Sequence, residues 1–194
     1  MFTRFAALLA LLPLVALGDG ADIAAAARGQ IGTTTHYDPA YRKLAFPGGD
    51  VSPDRGVCTD VVVRALRAAR SMDLQLRLNE ELRAHWGEYP HPAAWNLRRP
   101  DPNIDHRRVP NLMRYFERAG AALPITARPA DYLPGDVVAW DLGNGTLHIG
   151  IVGDRPSGEG APLVIHNIGS GTREEDILFE YAVIGHYRLP PTRR

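Results

Sequence analysis

Between residues 23 and 119 apolar positions recur at helical spacing, and between 136 and 189 they gather in short β-rich runs. Ile23 to Ile31 is alanine-rich and predicts a helix that stops at Gly32. In Cys58 to Ser71, Val62, Leu66 and Ala69 fall on one face, which predicts a second helix. Leu74 to His85 predicts a third. Pro110 to Ala119 predicts a fourth, carried by Leu112, Tyr115 and Phe116 and ended by Gly120. Thr33 to Gly56 reads as loop, broken by Pro39, Pro47-Gly48-Gly49 and Pro53. Residues 86–107, rich in Pro, Trp, Asn and Arg, read as a long ordered loop. Asp136 to Leu142, Leu147 to Gly153, Leu163 to Asn167 and Ala182 to Leu189 predict strands separated by Gly/Pro turns. Helices first and an antiparallel sheet after them make an α+β fold in one domain.

Composition narrows the function classes. With 194 residues, 45% hydrophobic and 23% charged, the chain suits one globular domain with a real core. The formal charge of zero supplies no bulk attraction to nucleic acid or to an anionic membrane surface.

The first 18 residues have the pattern of a secretory signal peptide. Arg4 gives a positive start, Phe5 to Leu17 carries no charge, and Ala16-Leu17-Gly18 offers small residues for cleavage after Gly18. A membrane span needs roughly 20 residues, and this run is shorter and interrupted by Pro13. The expectation is an exported protein of the periplasm or cell envelope, with residues 19–194 as a single domain.

Export makes the cysteine count informative. Cys58 is the only cysteine, so no internal disulfide is open to it in an oxidising compartment. It opens a predicted helix after Arg55-Gly56, where unpaired backbone N–H groups and the helix dipole favour a thiolate and predict a lowered pKa. Asp60 stabilises the helix start, and its charge opposes the thiolate where it faces the sulfur.

A thiol nucleophile needs a base, and the base an orienting partner. His148 sits in Leu147-His148-Ile149-Gly150-Ile151-Val152, where strand alternation points it away from Leu147 and Ile149. The strand before it pairs through the Gly143-Asn144-Gly145 turn, and the strand after it brings His166 or Asn167 alongside. A zinc site would want three or four ligands and only one thiol exists, so neither metal nor cofactor is expected.

The order Cys at a helix start, Leu133-Pro134-Gly135-Asp136, His148-Ile149-Gly150-Ile151-Val152 and then Ile165-His166 resembles the NlpC-type cell-wall peptidases. These are papain-like hydrolases of peptidoglycan peptides. The resemblance implies Cys58 as nucleophile, His148 as base and His166 as the orienting residue. Phe46 stands before the Gly48-Gly49 pair where those peptidases commonly carry Tyr or Trp, and Tyr41 is the candidate substitute. Residues 74–120 are an insertion beyond a minimal domain of this type.

A closer resemblance, over nearly the whole mature chain, is to a bacterial family termed domain of unknown function 1287. It rests on Gly48-Gly49-Asp50-Val51, Val57-Cys58-Thr59-Asp60-Val61-Val62, the stretch from Asn103 to Leu112, His166-Asn167-Ile168-Gly169 and Gly185-His186-Tyr187-Arg188.

Cys58, His148 and His166 are thus the expected catalytic residues. Asn167, Asp60, Arg107, Arg108 and Tyr41 are the expected substrate contacts, the arginines as bidentate grips on carboxylates. Trp86, Trp95 and Tyr89 stand near them either as stacking surfaces or as packing. The expected reaction is hydrolysis of an amide in a peptidoglycan stem or cross-bridge peptide. The alternatives are a non-catalytic envelope module binding wall peptides or a partner protein, and a thiol acyltransferase or deamidase.

Overall fold

A computed structural model describes residues 17–143 and 145–191. Of the expected signal peptide, residues 1–16 lie outside them, and Leu17 opens the first helix. The chain runs α1 (Leu17–Arg28), β1 (His36–Tyr37), β2 (Arg55–Gly56), α2 (Cys58–Arg70), α3 (Leu74–Ala84) and α4 (Val109–Arg118). It continues through β3 (Val137–Asp141), β4 (Leu147–Pro156), β5 (Pro162–His166), β6 (Arg173–Glu175) and β7 (Ala182–Tyr187). The last five strands form an antiparallel sheet in the order β6-β5-β4-β3-β7. The fold is α+β, with helices before sheet. Among the described residues no helix is long and apolar enough to cross a membrane.

Helix α2 is the spine. Val61, Val62, Ala65 and Leu66 are fully buried, a face wide enough to lie on the sheet. Each such aliphatic side chain contributes about 1.5–3 kcal/mol by leaving water. It packs on Val137, Ala139, Ile149, Ile151 and Ile165, while α1 covers it with Ile23 and Ala27. The opposite sheet face carries Val138, Trp140, Val152 and Val164 beneath Tyr132 and Leu178. The Trp140 indole N–H donates to the Leu178 carbonyl at 3.0 Å, which satisfies its polar edge in the core. Covered on both sides, β3 is hydrophobic up to Asp141, and β4 is buried from His148 to Gly153.

The Leu133-Pro134-Gly135-Asp136 stretch has a structural cause. Gly135 has φ +85°, and a Cβ there would stand 2.3 Å from the Gly20 carbonyl oxygen of α1. Asp136 is buried and accepts the Leu133 N–H at 2.8 Å, His186 Nε2 at 2.8 Å and Arg188 Nε at 2.7 Å. His186 and Arg188 of the last strand region thus brace the lead into β3.

Three features depart from the sequence expectation. The 33–56 stretch contains the short parallel pair β1–β2, register His36 with Arg55 and Tyr37 with Gly56. β6 was not expected, because Arg173-Glu174-Glu175 has no apolar alternation; Arg28 of α1 anchors it through Glu174 at 2.6 Å. Strand β4 runs on to Pro156, beyond the apolar run that marks it.

Candidate active site

Cys58 is the first residue of α2, with Val57 as its extended N-cap. Cys58 is 5% exposed and lies among core side chains, at one wall of a groove of about 430 Å³. Backbone N–H groups of Ile149, Thr59 and Cys58 itself point at it and favour the thiolate, Ile149 most strongly. Burial overrides them. It pushes the thiol up to about 12, with the nearby Asp60 carboxylate adding to the rise. The lowered pKa expected of a helix start is therefore reversed, because desolvation of the anion outweighs the helix terminus.

Alternation along β4 sends Ile149 toward α2 and His148 to the other face, beside its cross-strand partner Trp140 at a ring distance of 5.8 Å. The sulfur thus rests on the amide one residue away from the imidazole, and no hydrogen bond joins Cys58 to His148 among the described residues. His148 Nε2 lies 3.0 Å from Nδ1 of His166, and His166 Nε2 faces Glu175 Oε2 at 3.0 Å. His166, and not Asn167, is the neighbour of His148.

The Glu175 carboxylate lies at ion-pair distance from His166 Nε2 without the alignment of a hydrogen bond, and its charge favours a proton on that nitrogen. With His166 in that tautomer its Nδ1 accepts, His148 donates from Nε2, and His148 Nδ1 keeps a free lone pair. Burial, then the neighbouring His166, lowers His148 to about 3, so it is a neutral imidazole at physiological pH. Burial also lowers His166, with Glu175 opposing it. The resting centre is a neutral thiol near two neutral rings.

The expected substrate contacts divide. Arg107 is buried, with Nε 3.0 Å and Nη2 3.0 Å from the Asp60 carboxylate and further bonds to the Ala40 and Asp38 carbonyls. Asp60 also accepts the Val57 N–H at 2.7 Å, half of a capping box. Their charges are spent on each other and on the helix start, not held out to a ligand. Asn167 is fully buried and donates to the Gly56 carbonyl at 3.1 Å, tying the end of β5 to the nucleophile segment. Tyr41 lines a different cavity, where its hydroxyl donates to Asp101 at 2.9 Å. Arg108 does line the thiol groove, seated 4.3 Å over the Trp95 ring and held by Asp105 at 2.9 Å. Tyr89 is core, and Trp86 stacks on His91 at 4.0 Å.

Two residues of the centre escaped the sequence reading. Glu175 sits in the polar strand β6. Tyr37 lines the thiol groove, and burial followed by the charges of Cys58 and Asp60 raises its phenol, which stays a donor. The signal for Tyr37 is its pairing with Gly56, two residues before the nucleophile.

A helix-led cysteine set against an antiparallel sheet that carries a Glu-supported histidine pair defines an α+β protein with a thiol and imidazole centre. Over residues 24–189 the chain matches the family described as Domain of unknown function (DUF1287), and it belongs to that family. It is 54% identical over 166 residues to the Uncharacterized protein YijF of Escherichia coli (strain K12), a match that covers 86% of this chain and 80% of that one.

Proposed function

We propose that this protein is an exported cysteine hydrolase of papain-like, NlpC type that cuts an amide bond in a peptidoglycan stem or cross-bridge peptide. The observation that carries the reading is the His148–His166 pair beside Glu175, set on the residue next to the amide that touches the Cys58 sulfur, with a tautomer favoured by Glu175 that leaves Nδ1 of His148 unprotonated. Supporting it, Arg108 offers a guanidinium in the thiol groove for a substrate carboxylate, and residues 1–18 carry the pattern of an export leader.

This reading requires His148, which lies on the sheet face away from α2, to turn its Nδ1 to Sγ in the substrate complex. Sulfur attacks the carbonyl carbon as its proton passes to His148, and the backbone N–H at the helix start holds the oxyanion. His148 returns the proton to the leaving amine, and water then hydrolyses the thioester. A neutral pair suits this sequence, since the proton moves as the bond forms.

The second reading, an envelope module that binds wall peptides without cutting them, draws on the buried thiol at about 12 and the missing bond from sulfur to imidazole. Incubating the purified protein and Cys58→Ala with peptidoglycan separates the two. Peptide release by the first alone supports hydrolysis, and binding by both without release supports the module. Product masses showing a transferred acyl group and no hydrolysed amide would point to the acyltransferase alternative.

A further inference from the structure

A second and larger cavity, about 960 Å³, is lined by the 96–103 segment and shares no lining residue with the thiol groove. Its walls carry Arg83, Arg98 and Arg99, three exposed guanidiniums that form no ion pair or hydrogen bond among the described residues. Other arginines of this chain are partnered: Arg28 with Glu174, Arg64 with Asp50, Arg118 with Glu81, Arg188 with Asp136. The one acid in the lining, Asp101, is committed to Tyr41 at 2.9 Å and to the Asn103 backbone N–H at 2.9 Å. Three positive charges therefore face the space against one carboxylate, Asp101, that none of them pairs with.

An independent observation points the same way. Asn79 of α3 is 7% exposed and lines this cavity, and its carboxamide makes no hydrogen bond to any described residue while keeping access to solvent. Beside it stand two ring faces turned to solvent, Tyr41 at 60% and Phe46 at 46% exposure.

We infer that this cavity is a binding site for an anionic glycan, separate from the thiol centre and independent of the hydrolase reading. The arginine forks take carboxylate or phosphate groups on the sugars, the rings of Tyr41 and Phe46 take the apolar sugar faces, and Asn79 takes a hydroxyl. The volume lies at the upper end of the roughly 300–1,000 Å³ typical of ligand sites and admits more than one sugar ring. The lining offers side-chain amides and ring faces and no free strand edge, which favours a sugar chain over an extended acidic peptide.

Calorimetric titration of the whole protein at low salt tests this with hexagalacturonate, neutral chitohexaose and hexaglutamate as probes. Hexagalacturonate is expected to bind more tightly than either of the others. Arg98→Ala/Arg99→Ala should weaken it about tenfold or more, as loss of charge-assisted contacts does, and Asn79→Ala about threefold or more. Arg128→Ala, a charge removed elsewhere, should leave affinity within about twofold, as an uninvolved surface position does. Should a variant melt early, Arg83→Gln replaces it. Absence of hexagalacturonate binding, equal binding of hexaglutamate, or indifference to loss of the arginines overturns the assignment.

Discussion

Nε2 of His148 and Nδ1 of His166 stand 3.0 Å apart with their rings nearly perpendicular, so one proton serves both nitrogens. The charge of Glu175, 3.0 Å from the other nitrogen of His166, favours keeping that proton on His148. In a nitrogen-15 spectrum of the protein at pH 7, His148 should show protonated Nε2 and bare Nδ1. Glu175→Leu should release the constraint and give a mixture of tautomers, with the fold intact. A His148 protonated on Nδ1 in the unaltered protein would remove the base.

The same burial makes stability depend on acidity. His148 at about 3 and His106 at about 4 lie below the ordinary 6.5, so the unfolded chain binds their protons first. Their contributions are whole above 6.5 and shrink as pH falls below it, by about 1.4 kcal/mol per pH unit for each. Asp105, raised by burial to about 6, acts oppositely: its contribution is whole below its unfolded value and is lost as pH rises through 6. Two histidines outweigh one carboxyl. Urea unfolding at pH 5 should show stability lower than at pH 7 by on the order of 2 kcal/mol. His106→Asn should flatten the dependence; equal midpoints at the two pH values would mean the rings are charged in the fold.

Cys58 should be slow to react. With its thiol pushed up to about 12, alkylation of the native protein at pH 7.5 should run at least about 100-fold slower than in the urea-unfolded chain. The native rate should keep rising through pH 9. A labelling midpoint below the ordinary thiol value of about 8.5 would mean that the thiolate already exists in the unliganded groove.

Arg107→Ala should be severe. It strands the Asp60 carboxylate, 3% exposed, two residues from Cys58, and removal of one partner of a buried pair costs about 3–5 kcal/mol. Asp60→Asn/Arg107→Leu should cost less than the single change, since Asn keeps an acceptor for the Val57 N–H and no charge is orphaned. Guanidinium unfolding measures both. A single-variant cost below about 1 kcal/mol would show that water reaches the pair.

Much of this arrangement was readable in the residues. Val62, Leu66 and Ala69 located α2, and the alternation around His148 placed its ring opposite Ile149, as found. The neighbouring strand then delivered His166. What the sequence could not show was who partners whom across long separations. Arg107 reads as a free grip until Asp60, Asp38 and Ala40 surround it. Glu175 hides in a three-residue strand whose polar run has no period. The thiol's raised pKa follows from how deeply α2 sinks against β4, which depends on packing and not on the identity of the helix-start residues.

The hydrogen bond from Asn167 to the Gly56 carbonyl spans 111 positions. A chain leaving the ribosome from its first residue holds α2 long before it holds the strand that closes the groove, a lag on the order of ten seconds at ordinary elongation rates. Through that interval the sulfur has no β4 amide against it and no imidazole pair nearby. The sheet wall against Cys58 is thus assembled last, by the segment synthesised near the end, and a prematurely truncated product would carry its cysteine without the strands that bury it.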